Sequence, residues 1–262
     1  MNERFAVLRT SLEPLSDETL NRAFRGIPGL TPFDVNVVVS EASSVVCRGF
    51  TAEQAAVLQA NLKTEGVEVA VVEQSKLPVT PQGKTIRRVQ ITHEALMVED
   101  LIKGLVPVAW DKVRFLAAAS LKLATLTRQR KEHETMRLGA FHGLGGAILP
   151  MPRTQTEVEY SSKVTSDWHL RAEIILADAT GRYSIEAEHF NFALLGEGVT
   201  KDVAADFCLL VRELVAHAPN AMLSRGAASI VSDPCEFVYY PRKNAFQDEI
   251  TWMLWRAQQT AT

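Results

Sequence analysis

The chain of 262 residues is long enough for one large domain or two ordinary ones. Hydrophobic residues make up 47% of it and charged residues 23%, which is typical of folded domains and excludes intrinsic disorder. Its 28 basic and 31 acidic residues give a formal charge of -3, so no global field attracts nucleic acid or an anionic membrane.

Residues 1–77 predict a small α/β domain with the element order β-α-α-β-α-β. Apolar runs indicate its strands, and side-chain caps indicate where its helices begin. Strands are expected at Phe5 to Thr10, Ser44 to Arg48 and Val67 to Val72, and helices after Ser16, Thr31 and Thr51.

Residues 31–42 allow two interpretations. Their valines favour a strand, because β-branched side chains fit a pleated surface. Thr31 is suited to cap a helix, Pro32 fits the first helical position, and Asp34 can complete a capping box. We therefore predict a short helix, with a strand as the alternative.

The segment Leu77-Pro-Val-Thr-Pro-Gln-Gly-Lys84 contains two prolines and a glycine, which is typical of a linker. After it, the apolar pattern changes to a two-residue alternation, which predicts an antiparallel β domain. The sequence thus predicts an α+β protein with a first domain at 1–77, a linker at 78–84 and a larger β-rich domain at 85–262.

The β-rich domain is expected to combine short strands with capping helices. Strands are predicted at 86–92, 95–100, 106–110, 113–127, 168–176 and 183–187, with the last two joined as a hairpin. Helices are predicted at 200–217 and from Asn244 onward, with mixed strand and loop at 226–240 and an inserted loop at 128–154.

The inserted loop holds most of the candidate binding residues. Its basic members, which could contact phosphate, lipid, nucleic acid or an acidic partner, are Arg128, Arg130, Lys131 and Arg137. A solvated charged surface is the alternative. The run His142-Gly-Leu-Gly-Gly146 resembles the oxyanion loop of esterases, but the chain has no Gly-x-Ser-x-Gly elbow, so a tight turn is favoured.

No catalytic residue, metal site or cofactor is predicted. The six histidines lack the spacing of a zinc site. The odd number of cysteines, Cys47, Cys208 and Cys235, predicts a reducing compartment in which they are buried filler without a disulfide framework. Because the N-terminal residues lack the apolar run of a secretory signal and no stretch is long enough to span a membrane, we expect a cytoplasmic protein.

Trp252 and Trp255 on the last helix are the remaining candidate binding residues. One interpretation places them against the sheet of the β-rich domain. The other places them on a surface for a partner, which includes a homo-oligomer through the C-terminal helix.

Two parts of the chain resemble known families. Within residues 31–73, the run Thr51-Ala-Glu-Gln-Ala-Ala-Val-Leu-Gln-Ala-Asn-Leu-Lys-Thr-Glu-Gly-Val-Glu-Val-Ala70 resembles the end of the C-terminal domain of the ribosomal stalk protein. Residues 86–217, with Val106-Pro-Val-Ala-Trp-Asp-Lys-Val113, resemble bacterial pleckstrin-homology-like (PH-like) domains. The first resemblance implies a fold and not ribosome binding.

With Phe190-Asn-Phe-Ala-Leu-Leu-Gly196, the chain also resembles a set of uncharacterised bacterial proteins that join these two modules. The insertion at 128–154 and the segment after Pro219 depart from a minimal PH-like domain and leave its strand order open.

Two compact modules without an assembled catalytic constellation favour a non-enzymatic protein-binding or scaffold function, with an unidentified protein partner. An enzyme of hydrolase type with a site near the 128–154 loop is the first alternative. Contact with phosphate, lipid or nucleic acid through the basic loop is the second.

Overall fold

The computed structural model describes residues 3–260 except 14, 42, 101, 143–147, 178–180 and 241, and describes no side chains at 41, 124–142, 148–165 and 197. It divides into two compact units. The first comprises Met1–Lys122 and Trp168–Thr262, and the second is Leu123–Asp167. The α+β class predicted from the sequence is confirmed.

The N-terminal module has the predicted order β-α-α-β-α-β. Its elements are β1 (Phe5–Arg9), α1 (Asp17–Ala23), α2 (Pro32–Glu41), β2 (Val45–Phe50), α3 (Ala52–Thr64) and β3 (Val69–Glu73). The strands form an antiparallel sheet in the order β2-β1-β3. Its helices and sheet enclose a hydrophobic core that includes Phe24, Leu58 and Leu62.

Side-chain caps fix the helix starts of this module. Thr31 and Asp34 form reciprocal hydrogen bonds, in which the Thr31 amide donates to Oδ2 of Asp34 over 2.9 Å and the Asp34 amide donates to Oγ1 of Thr31 over 3.2 Å. These bonds hold the pKa of Asp34 below its ordinary value. Residues 32–41 are therefore helical, as the caps predict, and the strand alternative is wrong.

The rest of the chain forms nine strands and three α-helices among the described residues. In chain order they are β4 (Gly83–Thr85), β5 (Val89–Ile91), β6 (Ala95–Asp100), β7 (Gly104–Ala109), β8 (Val113–His142), β9 (Ile148–Leu176), β10 (Arg182–Glu186), α4 (Val203–His217), β11 (Met222–Leu223), α5 (Arg225–Val231), β12 (Tyr239–Tyr240) and α6 (Lys243–Thr260). Strands β5, β6 and β7 form one antiparallel sheet.

The second sheet has the order β11-β8-β9-β10-β4, and β12 also pairs with β8. Strands β9 and β10 are antiparallel, as the predicted hairpin requires, while β4, β11 and β12 add parallel pairs. The apolar face of α4 packs into the core beside these sheets through Phe207, Leu210 and Leu214. This core and the core of the N-terminal module lie on either side of the predicted linker, within one compact unit.

Three sequence predictions require correction. The 128–154 segment is not an inserted loop, because β8 continues to His142 and β9 begins at Ile148. Residues 128–137 are polar apart from Met136, so their sequence shows no apolar alternation by which a strand could be recognised. The second correction is α5, which lies in the segment predicted as strand and loop, and which begins because Ser224 accepts a hydrogen bond from the Ala227 amide.

The third correction concerns the cysteines. Cys208 on α4 and Cys235 after α5 form a disulfide, whereas the sequence predicted unpaired filler. Cys47 is free and buried, and burial raises its pKa to about 12. A separation of 27 residues between helix and irregular segment carries no recognisable pairing signal.

Helix α6 contacts both modules. Trp252 donates from its indole to the carbonyl of Arg9 on β1, and Asp248 accepts from Arg48 on β2. On the other side, Gln247 accepts from Arg182 on β10 over 3.1 Å. The helix therefore fixes the N-terminal sheet against the larger sheet and sets the geometry of the cleft between them.

Candidate anion-binding cleft

A cleft of about 430 Å³ opens where the N-terminal module, α5 and the start of α6 meet. This volume lies in the range of small-molecule sites. Its lining is rich in arginine and hydroxyl groups. The lining includes Arg9, Ser43, Arg48, Arg225, Tyr239 and Arg242.

Arg9 is the most unusual residue of the cleft. It ends β1, the central strand of its sheet, and exposes only 5% of its surface. Its backbone is fully used, because its amide donates to the Ser44 carbonyl over 3.0 Å and its carbonyl accepts from Trp252. Its side-chain Nε is buried and has no hydrogen-bond partner among the described residues.

Ser43 adds a second buried polar atom to the same cavity. Its Oγ is buried and lacks a partner in the described part of the chain, as does Oγ of the adjacent Ser44. Native proteins pair nearly all buried polar atoms, and an unpaired donor costs about 1–3 kcal/mol. Unpaired groups that line a cavity therefore indicate that something else, a ligand or ordered water, completes them.

Arg225 is held on another wall by a buried carboxylate. Glu249 on α6 is 0% exposed and accepts from the Arg225 amide over 2.8 Å, from Arg225 Nε over 2.9 Å and from the Tyr240 hydroxyl over 2.6 Å. Burial acts to lower the pKa of Arg225, but Glu249 and Tyr240 together raise it. Arg225 is thus a fixed positive charge at the cleft.

Close packing of α5 on β8 places Arg225 there. The buried Ser224 hydroxyl accepts from the Ala118 amide over 3.1 Å, and the Ser224 amide donates to the Leu116 carbonyl over 3.0 Å. Gly226 then approaches the Ala118 carbonyl so closely that a Cβ atom would overlap with it. Glycine is the only residue that fits this approach.

Arg48 and Asp248 form the edge of the cleft. The guanidinium donates to Oδ1 of Asp248 over 2.6 Å, and both side chains remain partly exposed. Arg242 and Gln247 also line this part of the cavity. The ion pair joins β2 to α6, and the Arg48 guanidinium neutralises the carboxylate of Asp248.

The electrostatics of the cleft are strongly positive. Its lining contains four arginines and one acidic residue, Asp248. Burial, together with the charge of Arg225, lowers the pKa of Arg9, and the smaller influences of Glu13 and Glu249 oppose this shift. An anion beside Arg9 would relieve this unfavourable environment.

The site residues predicted from the sequence lie on β8 and α6. Arg128, Arg130, Lys131, Arg137 and His142 lie on β8, and their side chains are outside the described residues, so their predicted roles stay predictions.

Trp252 and Trp255 are 8% and 6% exposed. The Trp252 indole donates a hydrogen bond to the Arg9 carbonyl in the N-terminal sheet, and the predicted role of both tryptophans at a binding surface stays a prediction.

The cleft arginines were not predicted from the sequence. Arg9, Arg48, Arg225 and Arg242 come from opposite ends of the chain and share no motif. One signal was present in β1, where Phe5, Val7 and Arg9 occupy alternate positions on one face. A charged residue in the register of buried apolar residues is a recognisable anomaly.

A second buried charged cluster is fully paired. Glu173 on β9 is 0% exposed and accepts from Arg171, Arg182 and Ser184 at 2.7–2.9 Å. Its groups satisfy one another and so favour a structural role.

No group of three or more potential ligand residues that could hold a metal occurs within the described ranges. Among the described helices, none is both long and apolar enough to cross a bilayer.

Comparison with protein-family models finds no matching family, and comparison with curated proteins and solved structures finds no significant match.

Proposed function

We propose that the protein is a non-enzymatic binding protein that holds an anionic group in the cleft between its N-terminal module and α6. The observation that carries this proposal is Arg9, a buried arginine whose Nε lacks a partner in the described structure and which lines a cavity. Buried charges are ordinarily paired, because desolvation without compensation is costly. A bound anion would supply the missing partner.

The positions of the neighbouring charges support this proposal. Arg225 is fixed by Glu249, and Arg48 by Asp248, so neither guanidinium needs to reorganise when an anion enters. Pre-organised guanidinium groups bind carboxylate and phosphate oxygens through charge-assisted hydrogen bonds. Partial burial of the cavity strengthens these bonds relative to those in water.

The same residues are poorly suited to catalysis. The described lining contains no histidine or cysteine, and its carboxylate, Asp248, is bound by Arg48. Burial, reinforced by Glu249, holds the pKa of Tyr240 above its ordinary value, so its hydroxyl remains protonated. Binding is therefore the function that these groups favour.

An anionic group can be presented by a small ligand or by a protein, so the cleft is compatible with the protein-binding role predicted from the sequence. The homo-oligomer through the C-terminal helix, the cytoplasmic location and the PH-like bacterial relationship remain proposals from the sequence. The alternatives based on residues 128–154, a hydrolase site or a basic contact surface, are likewise retained as predictions.

The experiment is a calorimetric titration of the full chain with inorganic phosphate. We expect Arg9→Gln to weaken binding by at least about tenfold, because a charge-assisted hydrogen bond contributes about 1.5–3 kcal/mol. Arg114→Gln removes an exposed arginine outside the cleft and is the matched control. Equal phosphate affinity in the two variants would refute the proposal, and so would the absence of binding to the wild type.

A further inference from the structure

Strand β3 forms one edge of the N-terminal sheet and is open to pairing. The sheet has the order β2-β1-β3, so within the described residues β3 has a partner strand on one side only. We propose that β3 pairs in antiparallel orientation with β3 of a second copy of this chain, which joins the two N-terminal sheets into one. The described lining of the anion-binding cleft contains no residue of β3, so the two surfaces are independent.

The backbone of β3 presents alternate residues to its open side. The Thr10 amide donates to the Glu68 carbonyl over 3.2 Å, and in this register the even-numbered residues of β3 bond to β1. The odd-numbered residues therefore point their amides and carbonyls away from β1. Gln59 agrees with this direction, because its side-chain amide donates to the Val69 carbonyl over 3.2 Å. The amide and carbonyl of Val71 have no hydrogen-bond partner in the described part of the chain.

Strand β3 lacks the features that ordinarily protect an edge. Natural edge strands carry bulges, prolines or lysines that prevent pairing with another chain. The register of β3 with β1 is continuous over its five residues, and Val69 to Val72 are all apolar and half-exposed. The opposite edge, β2, has a shifted register with β1, and its Arg48 is bound by Asp248 of α6. Of the two edges, β3 is the one suited to pairing.

Two grooves flank the open edge where the side chains of an added strand would lie. A groove of about 620 Å³ lies between α3 and the start of β3, and its lining includes the exposed Ala56 and Ala60. A second groove, of about 390 Å³, lies between α6 and the end of β3, and its lining includes Val72 and Trp255. Side chains alternate between the two faces of a sheet, so an added strand would place apolar side chains in both grooves.

The sequence of β3 fits this position itself. An antiparallel pairing centred on Val71 places this residue opposite Val71 of the second copy. Val69 then lies opposite Glu73, and Ala70 lies opposite Val72. In this register the odd-numbered residues of the two strands face each other and exchange the hydrogen bonds that β1 does not use. The small Ala70 against the larger Val72 gives an apolar pair on the other face of the sheet.

Charges at the ends of β3 also favour a second copy. Lys63 is exposed and lines the same groove as Val69, so it lies near the Glu73 that faces Val69 across the pair. Lys76 binds Oε1 of Glu73 over 2.7 Å, but a carboxylate accepts several bonds and can also meet Lys63. The two Glu73 carboxylates lie roughly 13 Å apart along the strands, beyond the screening length at physiological salt. The pairing therefore joins opposite charges and separates like ones.

Sedimentation velocity of the full chain over a range of protein concentrations tests the dimer. We expect a reversible monomer–dimer equilibrium in the wild type. Val71→Lys places two ammonium groups directly opposite each other and should weaken the dimer by about tenfold or more. The control is Val37→Lys, at a valine of α2 that is 39% exposed and lies outside both grooves, and it should leave the dissociation constant unchanged.

Charge reversal tests the register without changing the apolar edge. Lys63→Glu should weaken the dimer by about 2- to 30-fold, because two symmetry-related exposed ion pairs are lost. Adding Glu73→Lys to Lys63→Glu restores opposite charges across the interface and should recover most of the affinity. Lys103→Glu reverses an exposed charge outside both grooves and should have no effect.

Three outcomes would overturn the proposal. A chain that stays monomeric at every concentration would do so and would indicate a segment of another protein as the occupant of the edge. A dimer that Val71→Lys and Val37→Lys affect equally would place the interface elsewhere. If circular dichroism shows that Val71→Lys does not fold, the charge variants decide, and a dimer that Lys63→Glu leaves unchanged would refute the pairing.

Discussion

Replacing Arg9 by methionine should make the free protein more stable. The methionine chain retains much of the apolar stem of Arg9, a residue that exposes only 5% of its surface, and it removes the guanidinium charge. The change eliminates one unpaired buried donor, which costs about 1–3 kcal/mol, and the repulsion from Arg225. Loss of the attraction to Glu13 and Glu249 offsets part of this gain. We expect the free energy of unfolding to rise by about 1–2 kcal/mol.

Urea unfolding followed by circular dichroism measures this difference, and the melting temperature should rise by roughly 2–8 °C. Arg114→Met, at an exposed site, should change stability by less than about 0.5 kcal/mol. Inorganic phosphate at about 100 times its dissociation constant should stabilise the wild type by about 2.7 kcal/mol and Arg9→Met by no more than about 1.4 kcal/mol, the value for a tenfold weaker affinity. A destabilisation of Arg9→Met by about 1 kcal/mol or more would instead show that Arg9 stabilises the free protein and is not a strained binding group.

Three further predictions concern the fold around the cleft. Gly226→Ala should lower the free energy of unfolding by about 3 kcal/mol in urea titrations, because its Cβ would overlap with a β8 carbonyl. The control Gly198→Ala should be nearly neutral, because its Cβ would meet no atom closer than 3.9 Å. The pKa of Tyr240 is raised above about 10, the value of a tyrosine in an unfolded chain, so the free energy of unfolding should fall as pH rises above about 10. The fall should be less steep in Tyr240→Phe. Equal pH slopes in the wild type and in Tyr240→Phe would contradict this prediction. Reduction of the Cys208–Cys235 disulfide, whose cysteines are 27 residues apart, should lower the free energy of unfolding by about 3–4 kcal/mol. Thiol titration of the unfolded, unreduced chain should find one reactive thiol, that of Cys47. Three reactive thiols would contradict the pairing.

Local signals in the sequence predicted most of the N-terminal module. Thr51 and Gln54 form the reciprocal capping box that marks the start of α3, and Ser16 caps α1 as expected. These bonds join residues three positions apart, so the sequence alone contains both partners. The same kind of signal decides between helix and strand at 31–42. The hydrogen bonds between Thr31 and Asp34 start a helix there despite the β-branched valines that favour a strand.

Features that depend on distant residues could not be predicted in this way. Helix α5 requires the close approach of Gly226 to β8, and nothing in its own sequence reveals that contact. The cleft is assembled from β1, β2, α5 and α6, which lie far apart in the sequence and meet through tertiary packing. The Cys208–Cys235 pair has the same origin, because α4 and the segment after α5 become neighbours through tertiary packing.

The pairing state of Arg9 Nε is the most direct test of anion binding in the cleft. Its N–H signal can be observed by ¹⁵N NMR in the full-length protein while inorganic phosphate is added. We predict a saturable downfield shift of the Arg9 signal, as expected when a charge-assisted hydrogen bond forms. An Arg9 signal that stays unchanged at phosphate concentrations that saturate binding would contradict the account.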